Sequence, residues 1–273
     1  MQIYKDMDIG TAKVTEEEKE GIEHYLVDFV LPSERYTVSD FKKDAENAIE
    51  EILSKGKTPI IVGGTGLYVN SLIYGIEYQE MDFDEEYRNS LMEKAETPDG
   101  LKELYEEAKK IDEKAMESIS PNDKKRIIRI LEIYKATGKN KTEQEILSRA
   151  NGVKYDYQVY AIDMERNKLY DRINRRVDLM FEQGLIEEVK KLLEKYTEFP
   201  TAMQGIGYKE VAEYLRGDLT KDEMVEKLKQ ETRHYAKRQL TWFRKNKEII
   251  WLNAENSMED NIDIIMKGRN YFE

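Results

Sequence analysis

The chain has 273 residues, 37% of them charged and 40% hydrophobic, with a formal net charge of −12. It contains no cysteine and two histidines, which excludes disulfides and thiolate chemistry and argues against a metal site built from histidines. No apolar run approaches the length of a membrane span, and the first residues lack the apolar centre of a signal peptide, so we expect a cytoplasmic protein.

The sequence of the first 62 residues predicts parts of a parallel sheet. Residues 2–4 suit the end of one strand, and residues 24–30 suit a second strand. Thr37 has the spacing of a capping box before a helix whose apolar residues recur at helical period. Residues 59–62, with the sequence Pro-Ile-Ile-Val, form an apolar run without polar alternation. Such a run is typical of a strand that is buried on both faces of a sheet.

A glycine turn directly follows this run. Gly63, Gly64 and Gly66 allow the close approach of another chain or a ligand, and a short helix is predicted from Leu67 to Gly75. Ligands of open α/β sheets bind at such carboxyl ends of strands. A glycine pair after a strand is also common in tight turns that bind nothing, so the turn needs support from the rest of the chain.

Residues 76–157 predict mainly helices. The clearest helix has Ser120 as its N-cap and Pro121 in its first position, and it ends at Gly138. Seven basic side chains and a single acidic one lie between residues 124 and 141. The residues predicted to face inward on this helix are Ile127, Ile128, Leu131 and Tyr134.

A further strand is predicted within residues 155–164, and a helix follows it. Arg172 and Arg176 lie one turn apart beside the apolar stripe of that helix. Arginines in this arrangement can bind a phosphate bidentately. The alternative is that both are exposed and pair with Asp171 or Asp178.

A long helix, predicted to begin after Thr220, carries the second basic segment. Residues 232–247 contain six basic side chains and no acidic one, with aromatic residues between them. Arg233, Lys237 and Arg244 fall on one side of the helix. A purely positive stretch with aromatic residues favours contact with an RNA backbone and with stacked bases.

Six blocks of the chain together resemble the tRNA dimethylallyltransferases, also called tRNA isopentenyltransferases. The blocks follow the order of that family and cover the chain nearly from end to end. They are residues 2–4 with 7–13, residues 59–68, residues 121–123 with Arg126 and Arg129, residues 172–173 with Arg176, residues 207–209, and residues 235–239 with 241–242.

The resemblance implies an α/β fold, in which large helical additions surround a parallel sheet core like that of P-loop NTPases. We expect the α/β core in residues 1–75, 158–185 and 247–273. The helical additions, which would include the tRNA-binding region, are expected in residues 76–157 and 186–246.

The implied reaction transfers a dimethylallyl group from dimethylallyl diphosphate to N6 of adenine 37, in tRNAs that read codons starting with U. The leaving pyrophosphate must be neutralised by amides, cationic side chains and Mg²⁺, and a carboxylate must take the amine proton. The implied partners are the tRNA anticodon stem-loop and the diphosphate, and we expect a monomer that does not bind membranes.

Matching positions give the candidate site residues. Arg176 matches the arginine that contacts pyrophosphate, and Gln2 and Thr65 match positions that touch the target nucleotide. Lys237 and Arg238 join the tRNA-binding surface on the basis of their charge. The remaining positions, which match tRNA contacts, are Arg88, Lys125, Arg126, Arg129, Gln204, Gly205, Ile206, Gly207, Tyr208 and Lys209.

The chain departs from the family pattern at its start. It contains no Gly-x-x-x-x-Gly-Lys-[Ser/Thr] motif, and residues 63–66 lack the lysine and the spacing to replace one. We therefore expect the first strand, the P-loop lysine, the Mg²⁺-binding threonine and the general-base aspartate upstream of Met1. On this hypothesis, residues 1–273 contain no catalytic residue and no metal ligand.

Two alternative functions stay open. The chain could be an N-terminally truncated product that binds tRNA without catalysis, because the basic helices remain. It could also be an adenylate isopentenyltransferase, although the helical region 76–157 and the basic segment 232–247 would be surplus for a mononucleotide acceptor.

Overall fold

The computed structural model of the protein describes residues 1–78, 84–150 and 152–269. The chain divides into two compact units, of which the first comprises residues 1–69 with the residues from 157 onward, and the second comprises residues 70–156. The assignment of a core and two helical additions, as predicted from the sequence, stays a prediction.

The described residues are rich in helices and contain a small parallel sheet, which confirms the α/β class. Strands β1 (Tyr160–Asp163) and β2 (Ile250–Asn253) pair in parallel, with Tyr160 opposite Ile250. The helices in chain order are α1 (Val38–Ser54), α2 (Gly66–Ile73), α3 (Glu85–Lys94), α4 (Pro98–Ile111), α5 (Glu113–Met116), α6 (Lys124–Thr137), α7 (Lys141–Ser148), α8 (Arg166–Glu182), α9 (Leu185–Lys195), α10 (Tyr208–Leu215), α11 (Lys221–Phe243) and α12 (Met258–Arg269).

One apolar core joins α8, α9, α10 and α11 in the first unit. Segments from the first 36 residues of the chain pack into the same core. The predicted capping boxes at Thr37 and Thr220 are both present, at the starts of α1 and α11. The buried core residues are Tyr4, Met7, Val30, Tyr36, Val177, Leu185, Val189, Leu192, Ala202, Tyr208, Val211, Met224 and Leu228.

The two strands predicted in the first 30 residues are reduced to one isolated bridge. Tyr4 and Val30 pair in parallel, so each of the two segments contributes one residue to this bridge. The rest of residues 24–30 is irregular, because Leu26 and Asp28 adopt φ values of 58° and 60°. These positive values are incompatible with an extended strand.

The predicted strand at residues 59–62 is wrong. This segment has no regular structure, and the side chains of Ile60 and Val62 are 82% and 90% exposed. An apolar run becomes a strand only where neighbouring strands complete its backbone hydrogen bonds. No backbone hydrogen bond joins residues 59–62 to any other backbone group that the structure describes. The short helix predicted after the turn is present as α2.

The second unit is built from α3 to α7 around its own apolar core. The buried core residues are Leu91, Ala95, Leu104, Ala108, Met116, Ile119, Ile127, Ile128, Ile130 and Leu131. Asp112 links two of its helices, since its carboxylate caps α5 through the Ala115 amide and also accepts from the amide and the hydroxyl of Thr142 at 2.7 Å each.

Helix α6 begins later than predicted. Its N-cap is Asp123, whose Oδ1 accepts from the Arg126 amide at 3.1 Å, whereas the Ser120 hydroxyl accepts from Asn122 in the preceding turn. The predicted end at Gly138 is confirmed. Tyr134 was predicted to face inward, but it is 46% exposed, and the buried residues of α6 end with Ile133.

Candidate functional site

The glycine turn of residues 63–66 packs against α11. The Gln239 side-chain amide donates to the Gly64 carbonyl oxygen at 2.8 Å. The indole of Trp242 lies over Gly66, where an added Cβ atom would stand 2.4 Å from the indole Cδ1. Glycine is therefore required at position 66 by close packing. Thr65, between these two contacts, is exposed.

Helix α11 presents an exposed basic face next to this turn. Arg238 and Trp242 are spaced four residues apart, which places them on one face of the helix, and Lys245 follows in the turn after its end at Phe243. All three side chains are exposed. The Arg238 guanidinium lies 5.7 Å from the ring centroid of Tyr235. Neither Arg238 nor Lys245 forms an ion pair with a carboxylate in the described residues.

The three cations predicted to line one side of α11 differ in their contacts. The Arg233 Nη1 donates to the Asn174 Oδ1 at 2.6 Å, and the Arg244 Nη2 lies 3.3 Å from the Asp163 Oδ1. Lys237 is exposed and has no side-chain partner among the residues that the structure covers. Two of these three cations are therefore already engaged by neighbouring side chains, while the assignment of this side of the helix to tRNA stays a prediction.

Arg172 and Arg176 of α8 are exposed beside the buried Ile173 and Val177. The alternative in which they pair with aspartates is wrong for the described residues. The Asp178 Oδ1 binds Lys229 at 2.7 Å, and neither arginine has an ion pair or a hydrogen bond to any described side chain. Two guanidinium groups one turn apart are thus available for an anionic ligand.

Gln2 is held by the loop that follows it. Its side-chain amide donates to the carbonyl oxygens of Thr11 and Ala12 at 3.2 and 2.7 Å. The nearly buried Lys13 fastens the same loop, since its Nζ donates to the Tyr4 carbonyl oxygen at 2.8 Å and lies 2.6 Å from an oxygen of Asp8.

Helix α9 anchors this front segment at two points. The carboxylate of Glu188 accepts hydrogen bonds from the backbone amides of residues 8–10 and from the Tyr208 hydroxyl. Lys195 and Tyr196 each donate to the Asp6 carboxylate at 2.7 Å, and these bonds hold the pKa of Asp6 below its ordinary value.

The segment 204–209, predicted to contact tRNA, is only partly accessible. Gln204 and Lys209 are exposed, Ile206 is half-buried, and Gly205 and Gly207 are buried. The Tyr208 side chain is fully buried, so its ring supports the loop and does not reach a partner in this structure. Burial, reinforced by the nearby Glu188 carboxylate, raises the pKa of Tyr208 and keeps its hydroxyl a hydrogen-bond donor.

The second unit carries the other predicted tRNA contacts, and most of them are ion-paired. The Arg88 Nη1 lies 2.8 Å from the Oε1 of the buried Glu132, and the Arg129 Nη1 lies 3.6 Å from the Oε2. Arg126 lies 3.3 Å from its helix cap, Asp123. The acidic residue within this basic segment therefore fixes two arginines at the surface of the unit.

Lys125 differs from these arginines. It is exposed on α6 and has no side-chain partner within the described residues. A single exposed cation without a partner is weak evidence for a site, so the prediction for Lys125 stays a prediction.

Two contacts that build the site were missed by the sequence analysis. Glu188 was not singled out, and Gln239 was named only as part of the matching block of residues 235–239, although each binds the backbone of a predicted loop. Their partners lie 180 and 175 residues away in the chain, and a carboxylate or an amide on a helix carries no local signal of such a contact. In the sequence, the spacing of Gly64 and Gly66 was the one indication that another segment packs closely against the glycine turn.

The close contact at Gly66 predicts a cost for even the smallest side chain. Gly66→Ala places its methyl group inside the indole of Trp242 and should lower the free energy of unfolding by about 1–3 kcal/mol, as expected for overpacking. Gly63→Ala is the matched control, because nothing lies within 4 Å of a Cβ atom there. Denaturant unfolding followed by tryptophan fluorescence measures both. Equal stabilities of the two variants would contradict this prediction.

The chain is similar to known proteins over nearly its whole length. A model of the IPP transferase family matches residues 2–246. A tRNA dimethylallyltransferase of Acetivibrio thermocellus is 50% identical over 273 residues, which are 100% of this chain and 86% of the relative. The solved full-length tRNA isopentenylpyrophosphate transferase of Bacillus halodurans is 41% identical with a TM-score of 0.71, covering 98% of this chain and 84% of that one. A solved eukaryotic dimethylallyltransferase acting on tRNA is 30% identical with a TM-score of 0.75, covering 98% and 69% respectively. The chain therefore belongs to the IPP transferase family.

Proposed function

We propose that this protein transfers a dimethylallyl group from dimethylallyl diphosphate to N6 of adenine 37, in tRNAs that read codons starting with U. The observation that carries the proposal is the 50% identity to a tRNA dimethylallyltransferase across all 273 residues. A similar fold alone would not be enough, because function resides in particular sites.

The reaction breaks the bond between the allylic carbon and the diphosphate oxygen, and it forms a bond from that carbon to N6. Pyrophosphate leaves with the electron pair, and N6 gives up a proton to a general base. We assign Arg176 to the leaving pyrophosphate, since cationic donors that meet developing negative charge lower the barrier. Its exposure and its lack of a partner among the described residues support this assignment.

The acceptor nucleotide is assigned to Thr65 and Gln2. Thr65 lies in the glycine turn that packs against α11, next to the face of the helix on which Arg238 is exposed. That arrangement supports a site where a base contacts the turn while cations bind the neighbouring phosphates. We propose that the exposed Gln204, Lys209 and Lys237 extend this surface toward the anticodon stem-loop.

The family resemblance implies a divalent metal ion at the leaving group, and we propose Mg²⁺. Within residues 1–78, 84–150 and 152–269, no three histidine, aspartate or glutamate side chains are grouped so that they could hold such an ion. The described residues do not form a metal site by themselves.

We propose that the protein acts on tRNA as a cytoplasmic monomer. In the parts of the chain that the structure describes, no helix is both long and apolar enough to cross a membrane. Exposed cations of α11 in the first unit, and separately of α6 in the second, supply positive charge of the kind that tRNA binding requires, despite the net charge of −12.

The test is an assay with purified protein, dimethylallyl diphosphate, Mg²⁺ and an unmodified anticodon stem-loop. Mass spectrometry of the RNA should show one added dimethylallyl group on adenine 37, and none when guanine replaces that base. Salt-dependent binding without transfer would favour the non-catalytic alternative. Faster prenylation of AMP than of the stem-loop would favour the adenylate isopentenyltransferase.

A further inference from the structure

We propose that Glu188 is a positioning residue for substrate binding, and that it acts through the front loop of residues 8–12 on Gln2. This inference rests on the proposed function, because Gln2 is assigned there to the target nucleotide. Glu188 lies on α9, outside every block that carried the resemblance.

The Glu188 carboxylate uses both of its oxygens on the loop. Its Oε2 accepts from the amides of Asp8 and Ile9 at 2.9 and 2.7 Å, and its Oε1 accepts from the Gly10 amide at 3.1 Å. Three successive backbone amides aimed at one anion form a concave anion site. The loop conformation is therefore defined by a side chain from a distant helix.

Tyr208 completes the anchor. Its hydroxyl donates to the Glu188 Oε1 at 2.7 Å, and its ring is so close to the loop that a Cβ atom added at Gly10 would lie 2.6 Å from the ring. No lysine, arginine or histidine among the described residues pairs with Glu188. The charge of this carboxylate is thus stabilised by these four donors, whose bonds to an ionised acceptor are stronger than neutral ones.

The loop, held in this conformation, also binds the side chain of Gln2. The carbonyl oxygens of Thr11 and Ala12, directly after the anchored amides, bind the Gln2 side-chain amide nitrogen. The Oε1 of Gln2 has no partner among the described residues. A fixed carbonyl oxygen suits a donor such as the exocyclic amine of adenine. Glu188 therefore sets the position of an acceptor that it does not touch.

Hydrogen exchange tests the anchor without any assumption about activity. In Glu188→Ala, the amides of residues 8–10 should exchange about tenfold faster than in the wild type, because their acceptor is lost. Glu188→Gln should show a smaller increase in the exchange rate of these amides, and Tyr208→Phe should show a smaller increase still. Glu187→Ala is the matched control on the same turn of α9, since Glu187 is exposed and pairs only with Lys190 in the described residues. Unchanged exchange in Glu188→Ala would overturn the inference.

Binding of the unmodified anticodon stem-loop tests the route through Gln2. Gln2→Ala and Glu188→Ala should each weaken binding about fivefold. The affinity of the double variant should be at most about twofold lower than that of Gln2→Ala. A merely structural role of Glu188 would give independent effects that multiply, and that result would refute the proposal. If the wild type does not bind the stem-loop, the proposed function fails, while the exchange experiment still decides whether Glu188 orders the loop.

Discussion

Arg176→Ala will abolish pyrophosphate binding and will lower the rate of dimethylallyl transfer about 10²-fold. Arg176 is exposed, lies one turn from Arg172, and has no ion pair within the described residues. A preorganised donor that stabilises charge developing on a leaving or attacking oxygen typically contributes this much. Arg176→Lys should recover only part of the loss, because an ammonium group lacks the planar fork of the guanidinium.

The control for this prediction lies on the same helix. Arg175→Ala removes an equally charged, exposed side chain whose described contact is one weak bond of 3.4 Å to the Asp171 carbonyl oxygen. Isothermal titration with inorganic pyrophosphate measures binding, and single-turnover kinetics with the stem-loop measure transfer. Equal pyrophosphate affinities of Arg176→Ala and Arg175→Ala would remove Arg176 from the site.

The helices of this protein were predictable because their signals are local. The capping box at Thr37 needs only Asp40, three residues away, and the one at Thr220 needs only Glu223. The start of α6 shows the limit of such signals. Ser120 and Asp123 are both good caps within four residues, and local propensity does not distinguish a helix cap from a residue that forms the preceding turn.

The strands depended on partners that the sequence does not specify. Residues 59–62 have strong strand propensity and yet are exposed and irregular, because β structure is stabilised between strands and not within one. The same reasoning explains the single bridge at Tyr4 and Val30. The segment 160–163 was predicted correctly, and it is paired with β2.

The candidate site was predictable where motifs carry the chemistry and not where contacts between distant segments build it. The glycine turn and Arg176 were found from residue types and spacing. The environment of the turn and of Arg176 could not be predicted from the sequence, because the packing of Trp242 on Gly66 and the unpaired state of Arg176 depend on tertiary structure. The full burial of Tyr208 was also not evident from its place within a matching motif.

The last prediction concerns the basic face of α11. Arg238→Glu should weaken binding of the anticodon stem-loop about tenfold at 0.1 M salt, because it replaces a phosphate contact with a repulsive charge. It should also lower the slope of log affinity against log salt by about one. Arg238 is suited to this role since it is exposed, has no described carboxylate partner, and lies on the face next to the glycine turn.

Lys221→Glu separates this local effect from the change in net charge. Lys221 is exposed on the same helix, and at 1.5 Å per residue it lies about 25 Å from Arg238. Both substitutions change the net charge by two, so a long-range effect of charge alone would weaken binding equally. Fluorescence titrations at several salt concentrations distinguish the two cases. If Lys221→Glu weakens binding as much as Arg238→Glu does, the tRNA surface does not lie on the basic face of α11, and the exposed cations of α6 become the first residues to substitute.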